Sequence, residues 1–140
     1  MELSENEIEE SKYDAMLLSV DVAHALHPNK KEKMDITNMP VMGKGFCIKQ
    51  ACSQSYATDA QAIAILCQLC DEKGIPYQRF VNRSDSRGGS TLGSIAGTLL
   101  PVKTVDIGIP ILAMHSACEL MGVRDMKALS DCVTAFFGYH

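Results

Sequence analysis

Long apolar runs are missing from this chain of 140 residues. Nothing in it approaches the ~20 consecutive apolar residues that a membrane-spanning helix needs, so no membrane partner is expected. A basic excess is missing too: 13 Lys and Arg stand against 17 Asp and Glu, a formal net charge of −4. Aromatics make up only 6% of the chain and tryptophan is absent. Without a basic patch or an aromatic stacking surface, nucleic acid is not an expected partner. The opening Met1-Glu2-Leu3-Ser4-Glu5 is acidic, whereas a secretory leader starts basic and turns apolar. A cytoplasmic location is therefore the expectation. No internal repeat, linker or low-complexity segment appears, and the length suits one domain over residues 1–140.

Six cysteines occupy positions 47, 52, 67, 70, 118 and 132. Cys67-Gln68-Leu69-Cys70 has C-x-x-C spacing, but a zinc finger needs a second pair and the chain has none. The pair falls inside an apolar helical pattern, so both thiols are read as small hydrophobes packing a core.

What the chain does have is an alternation of strand-like and helix-like segments. Residues 14–21, 45–49, 76–81 and 102–108 read as strands. Ala60, Ile63, Ala64, Leu66, Cys67 and Cys70 repeat at helical spacing, between a cap at Thr58 or Asp59 and a stop at Gly74. Residues 90–100 suit a helix packed closely on a sheet, and residues 124–137 form an amphipathic closing helix. Residues 4–12 are polar and acidic, with Ser4 as a candidate cap. Residues 27–42 are a long loop carrying a run of lysines. This alternation predicts an α/β fold, a mostly parallel sheet with flanking helices.

The stretch with the most chemistry is Ser19-Val20-Asp21-Val22-Ala23-His24-Ala25-Leu26-His27-Pro28-Asn29. An apolar strand runs into an aspartate, and two histidines and a Pro-Asn stop follow. In open α/β sheets, functional groups gather beyond the carboxyl ends of strands. A carboxylate with imidazoles there is raw material for a metal site. Asp21 as a helix cap or turn residue, with two surface histidines, is the plainer reading of the same stretch.

The S-x-D-x-A-H-A-x-H-P-N pattern resembles a signature of the aspartyl aminopeptidases, a family of dinuclear zinc exopeptidases. Three later segments agree in order: Ile48-Lys49 with Tyr56-Ala57-Thr58-Asp59; Arg83-Ser84-Asp85 with Gly88-Gly89-Ser90-Thr91-Leu92-Gly93; and Thr104-Val105-Asp106-Ile107-Gly108 with Met114-His115-Ser116. The resemblance implies release of acidic N-terminal residues from peptides, with two zinc ions as cofactors. Carried over residue by residue, it makes Asp21 a ligand of one metal and His115 a ligand of the other. His24 and His27 become supports that orient ligands. Lys49, Tyr56, Asp85, Gly89 and Ser90 become substrate-binding residues. Lys49 would pair with the acidic side chain, and Tyr56 would donate to a developing oxyanion.

The resemblance covers only the last third of the family's catalytic domain. The upstream half, which supplies the remaining ligands and the proton-shuttling glutamate, is not matched, nor is an inserted lid domain. Locally, Lys30 stands where an aromatic residue is usual, Ser94 where proline is, and Ala117-Cys118 where Ile-Arg is. Two ligands of two different metals do not make a site, since zinc sites use three or four protein ligands. Alone, the chain is expected to bind zinc weakly and to hydrolyse nothing. It would then work as a homo-oligomer or with a complementing chain, or else be an inactive remnant serving as a binding or assembly module.

Overall fold

A computed structural model describes residues 4–86 and 88–138. Ten segments follow in order: α1 (Glu5–Asp14), β1 (Met16–His24), a 3-10 turn (Lys31–Lys33), β2 (Phe46–Gln50), α2 (Ala60–Lys73), β3 (Tyr77–Val81), α3 (Leu92–Leu99), β4 (Lys103–Leu112), β5 (Leu120–Met121) and α4 (Val123–Phe137). The α/β class is as expected. The sheet runs β1-β4-β2-β3, with β5 on the far end of β4. β1 pairs β4 in parallel and β2 pairs β3 in parallel, while β2 and β4 meet antiparallel. No helix among the described residues is long and apolar enough to cross a membrane.

Period-two alternation sorts each strand between two faces. Phe46 and Ile48 of β2, and Val105, Ile107, Ile109 and Ile111 of β4, pack against α2 and α4 through Ile63, Leu66, Leu69, Leu129 and Cys132. Their neighbours point to the other face. There Cys47, Ala23 and Phe80 join Tyr56 and Met34 in a smaller cluster. Asp21 and Lys49 belong to this second face. The alternation that buries the main core thus turns Asp21 of β1 and Lys49 of β2 the same way.

α2 ends as its sequence demands. The Asp59 carboxylate accepts from the Ala62 N–H at 2.7 Å, and Gly74 closes the helix at φ 65°. Cys70 is buried in the core, where its Sγ lies 3.8 Å from that of Cys132, not against Cys67. α1 is a regular helix with a complete capping box from Ser4 and Glu7, yet buries no residue.

Two buried carboxylates tie loops to this frame. Asp125, in the first turn of α4, accepts from the Gly43 and Gly45 amides, each at 2.7 Å. Asp106 of β4 accepts from the Ala57 amide at 2.5 Å and the Thr91 hydroxyl at 2.6 Å. Its other oxygen has no partner among the described residues. Gly93 lets α3 approach: a Cβ there would lie 2.7 Å from both Asp106 Oδ1 and Ser19 Cβ. These contacts fix the loops that carry Tyr56, Gly89 and Ser90.

The first strand is longer than residues 14–21. It runs to His24 because β4 continues to Leu112 and keeps offering partners: Val22 lies opposite Ile109, Ala23 opposite Pro110 and His24 opposite Ile111. Asp21 therefore sits within the strand, three residues before its end. It reaches solvent because β1 is an edge strand.

Candidate active site

Asp21 lies opposite Gly108, where a Cβ would come within 2.7 Å of the Val22 backbone. A bare backbone at Gly108 is what lets β1 and β4 close at this point. On the other side of β4, Lys49 rises from β2 on the same face. Its side chain is only 4% exposed, against 50% for Asp21. The ammonium donates to the Val22 carbonyl at 2.9 Å, stands 3.3 Å from Asp21 Oδ2, and lies 4.6 Å from the centre of the Tyr56 ring. A buried lysine needs such partners, because desolvation penalises its charge. The arrangement is a cation beneath and a carboxylate above, facing outward.

Tyr56 is buried against Phe80, and its hydroxyl accepts from the Asn82 amide at 3.1 Å. The hydroxyl's own hydrogen has no acceptor among the described residues. His115 follows β4 in a tight turn with φ 57° at Ala113 and φ 68° at His115 itself. The turn is held by the Ser116 amide on the Ala113 carbonyl and by the His115 amide on Glu119 Oε1 at 2.6 Å. A left-handed non-glycine residue costs about 1 kcal/mol or more. Here the turn offsets that cost and leaves the imidazole exposed.

These residues share one cavity of about 180 Å³. Asp21, His24, Lys49, Tyr56, Ser90 and His115 line it, with Gly89 on its rim. The structure thus brings together most of the residues singled out from sequence, and leaves out two. Asp85 is exposed, pairs with Arg83, and faces a different hollow over residues 51–55. His27 lies outside the cavity, its Nδ1 accepting from the Asn29 amide at 3.1 Å. His24 sits tilted against Phe80 with ring centres 6.4 Å apart. Partial burial, then the charges of Lys49 and His115, hold its imidazole below the ordinary histidine value.

The chain matches the family model described as aminopeptidase I zinc metalloprotease (M18) over residues 1–137. It belongs to the M18 family. A probable M18 family aminopeptidase 2 of Clostridium novyi is 53% identical over 111 residues, 79% of this chain and 26% of that protein. The solved Ape4 and Nbr1 complex contains a chain 33% identical, with a TM-score of 0.93 over 97% of this chain and 26% of that one. The dodecamer of Saccharomyces cerevisiae mApe1 superposes with a TM-score of 0.83 at 25% identity, over 94% of this chain and 28% of that one. The chain spans about a quarter of the length of the curated relatives it matches.

The M18 description implies zinc, and the donor set can be tested against it. Among the described residues, no group of three or more His, Cys, Asp or Glu side chains could hold a metal ion. Asp21, His24 and His115 are the exposed carboxylate and imidazole groups of the cavity, yet they do not converge into a group that could hold a metal, where zinc requires three or four donors. These residues alone therefore do not assemble a zinc site.

Proposed function

We propose that this chain supplies part of the active site of a zinc aminopeptidase that removes acidic residues from peptide N-termini. The observation that supports it most is the one cavity shared by an outward carboxylate, an exposed imidazole and a buried ammonium. Asp21 and His115 serve as ligands, one to each of two metals. The remaining ligands come from polypeptide beyond these 140 residues, either as further chain or as a partner. Held by these two side chains and the further ligands, zinc would supply a water of lowered pKa and Lewis-acid polarisation of the scissile carbonyl.

The chain's own residues then position the peptide. Lys49 holds the carboxylate of the first side chain, exchanging its contact with Asp21 for one with the substrate. Tyr56, whose hydroxyl hydrogen is uncommitted, donates to the developing oxyanion. Gly89 lets the substrate backbone come close, and Ser90 offers a hydroxyl. His24 orients its neighbours and stays neutral. The unpaired edge of β1, with Val20, Leu92, Ile95 and Leu99 all at least half exposed beside it, is where the additional polypeptide packs. The dodecameric mApe1 makes a homo-oligomer the favoured assembly.

The test uses the chain alone and a hybrid in which it replaces the matching quarter of the Clostridium novyi relative. Aspartyl, glutamyl, alanyl and leucyl anilides are offered with zinc. The chain alone should show no turnover. The hybrid should cleave the acidic anilides first, and Lys49→Met should lower that preference at least tenfold. A folded hybrid that cleaves nothing would favour the second reading, an inactive binding or assembly module, which the shortage of metal donors supports.

A further inference from the structure

A larger chamber of about 540 Å³ adjoins the small cavity, and the reading above leaves it unused. The two share His24, Tyr56, Phe80 and Gly89 as walls. The chamber's size is that of a small-molecule site. Its outer wall carries Lys30, Lys33 and Arg83, with His27 nearby, and no Asp or Glu lines it among the described residues. In a chain with net charge −4, that is a local excess of positive charge.

The three cations are not equivalent. Arg83 is committed. Its Nε and Nη2 hold Asp85 at 2.7 and 2.5 Å, and its Nη1 donates to the Glu32 carbonyl. It therefore acts as a tie that fixes the 3-10 turn against the glycine-rich loop and so fixes the chamber wall. Lys30 has only a long exposed contact with Glu32 at 3.8 Å. Lys33 has no carboxylate within ion-pair distance among the described residues. Two exposed ammonium groups thus stand on the chamber wall with little to neutralise them. Below them, Met34, Phe80, Ile111 and Leu112 give an apolar floor.

Resting on the reading above, we infer that this chamber binds the residue that follows the scissile bond and selects a carboxylate there. The two hollows share a wall, so a peptide whose first side chain meets Lys49 can extend its next residue into the chamber. The carboxylate can be the side chain of an acidic second residue or the free terminus of a dipeptide. Both present the same anion to Lys30 and Lys33.

The experiment measures peptide binding to the full chain by NMR titration in zinc-free buffer, where nothing is cleaved. Three peptides share an N-terminal aspartate: Asp-Ala amide, Asp-Ala with a free carboxylate, and Asp-Glu amide. The two with a carboxylate at the second residue should bind about fivefold tighter than Asp-Ala amide, the gain expected of two exposed ion pairs. The advantage should vanish in Lys30→Ala/Lys33→Ala, persist in Lys30→Arg/Lys33→Arg, and weaken in about 0.5 M salt. An advantage for only one peptide identifies the source of the carboxylate. Equal affinity for all three, or an advantage untouched by the alanine pair, overturns the inference. Lys49→Met separates it from the reading it rests on. If that variant weakens all three peptides while no advantage exists, the chamber inference alone fails. If it weakens none while the advantage holds, the role of Lys49 alone fails. No binding by any peptide overturns both.

Discussion

Replacing Asp125 by alanine should cost about 4 kcal/mol, although the residue touches no substrate. Its carboxylate is fully buried and accepts two backbone N–H bonds at 2.7 Å, from Gly43 and Gly45. Bonds to a charged group are worth roughly 1.5–3 kcal/mol each, and their loss leaves the amides without acceptors. The Gly43 site is half-buried, so water recovers part of its share. The charge also lies in the first turn of α4, which adds about 0.5 kcal/mol. The glycines cannot rearrange to help. Gly45 has φ 103°, and a Cβ there would collide with the Pro76 carbonyl oxygen, so no other residue fits. Urea unfolding followed by far-ultraviolet circular dichroism measures the loss, and the midpoint temperature should fall by roughly 10 °C. Asp125→Asn keeps one acceptor and should fall between the two. Asp131→Ala, on the same helix but exposed and paired with Lys127, should cost less than about 0.5 kcal/mol. A loss below about 1 kcal/mol for Asp125→Ala would refute the idea that this clamp holds the segment at Gly43 and Gly45 that leads into β2.

Three further outcomes are expected. His24 should titrate below the ordinary value of 6.5, because burial and the Lys49 and His115 charges disfavour its protonated form. Its contribution to stability is therefore complete above pH 6.5 and is lost as pH falls through the lower folded value; a midpoint at or above 6.5 in an NMR titration would contradict this. Near pH 8, Cys52 and Cys118 should react first with Ellman's reagent, being exposed, with half-buried Cys67 slower. Cys47, pushed up to about 12 by burial and by Asp125, should react only after denaturation, as should Cys70 and Cys132. Gly93→Ala should destabilise by about 2 kcal/mol in the same urea assay, since its Cβ would press on Asp106 and Ser19; an unchanged midpoint would show that α3 can retreat.

Much of this arrangement is legible in the sequence where the signal is local. The cap and stop of α2 announce themselves at Asp59 and Gly74, and the alternation in β2 puts Ile48 inward and Lys49 on the opposite face. Other parts have no local signature. A lysine at a strand end reads as exposed, yet Lys49 is buried because Val22, Asp21 and Tyr56 from three other segments surround it. Asp125 reads as a surface residue of an amphipathic helix, because its partners lie about eighty positions away. Asp106 reads as one letter of a motif, while its bonds to Ala57 and Thr91 are what place the loops of the site. Asp85 takes its substrate-binding role from the family resemblance, and its place at a separate hollow, paired with Arg83, has no local signature. The long loop bearing Lys30 and Lys33 is legible as a loop, but the Arg83 contact with the Glu32 carbonyl that sets it beside the chamber is not. The reversal of β2 against β4 is set by long-range pairing that no single segment encodes.

The most direct test of the proposed roles of Asp21 and His115 is a zinc count by mass spectrometry. It compares the hybrid with the Clostridium novyi relative against its Asp21→Ala and His115→Ala variants, each confirmed folded by circular dichroism. The expected result is about two zinc ions per chain in the hybrid and about one fewer in each variant, since each loses a ligand to a different metal. Full zinc occupancy in both variants would contradict the assignment.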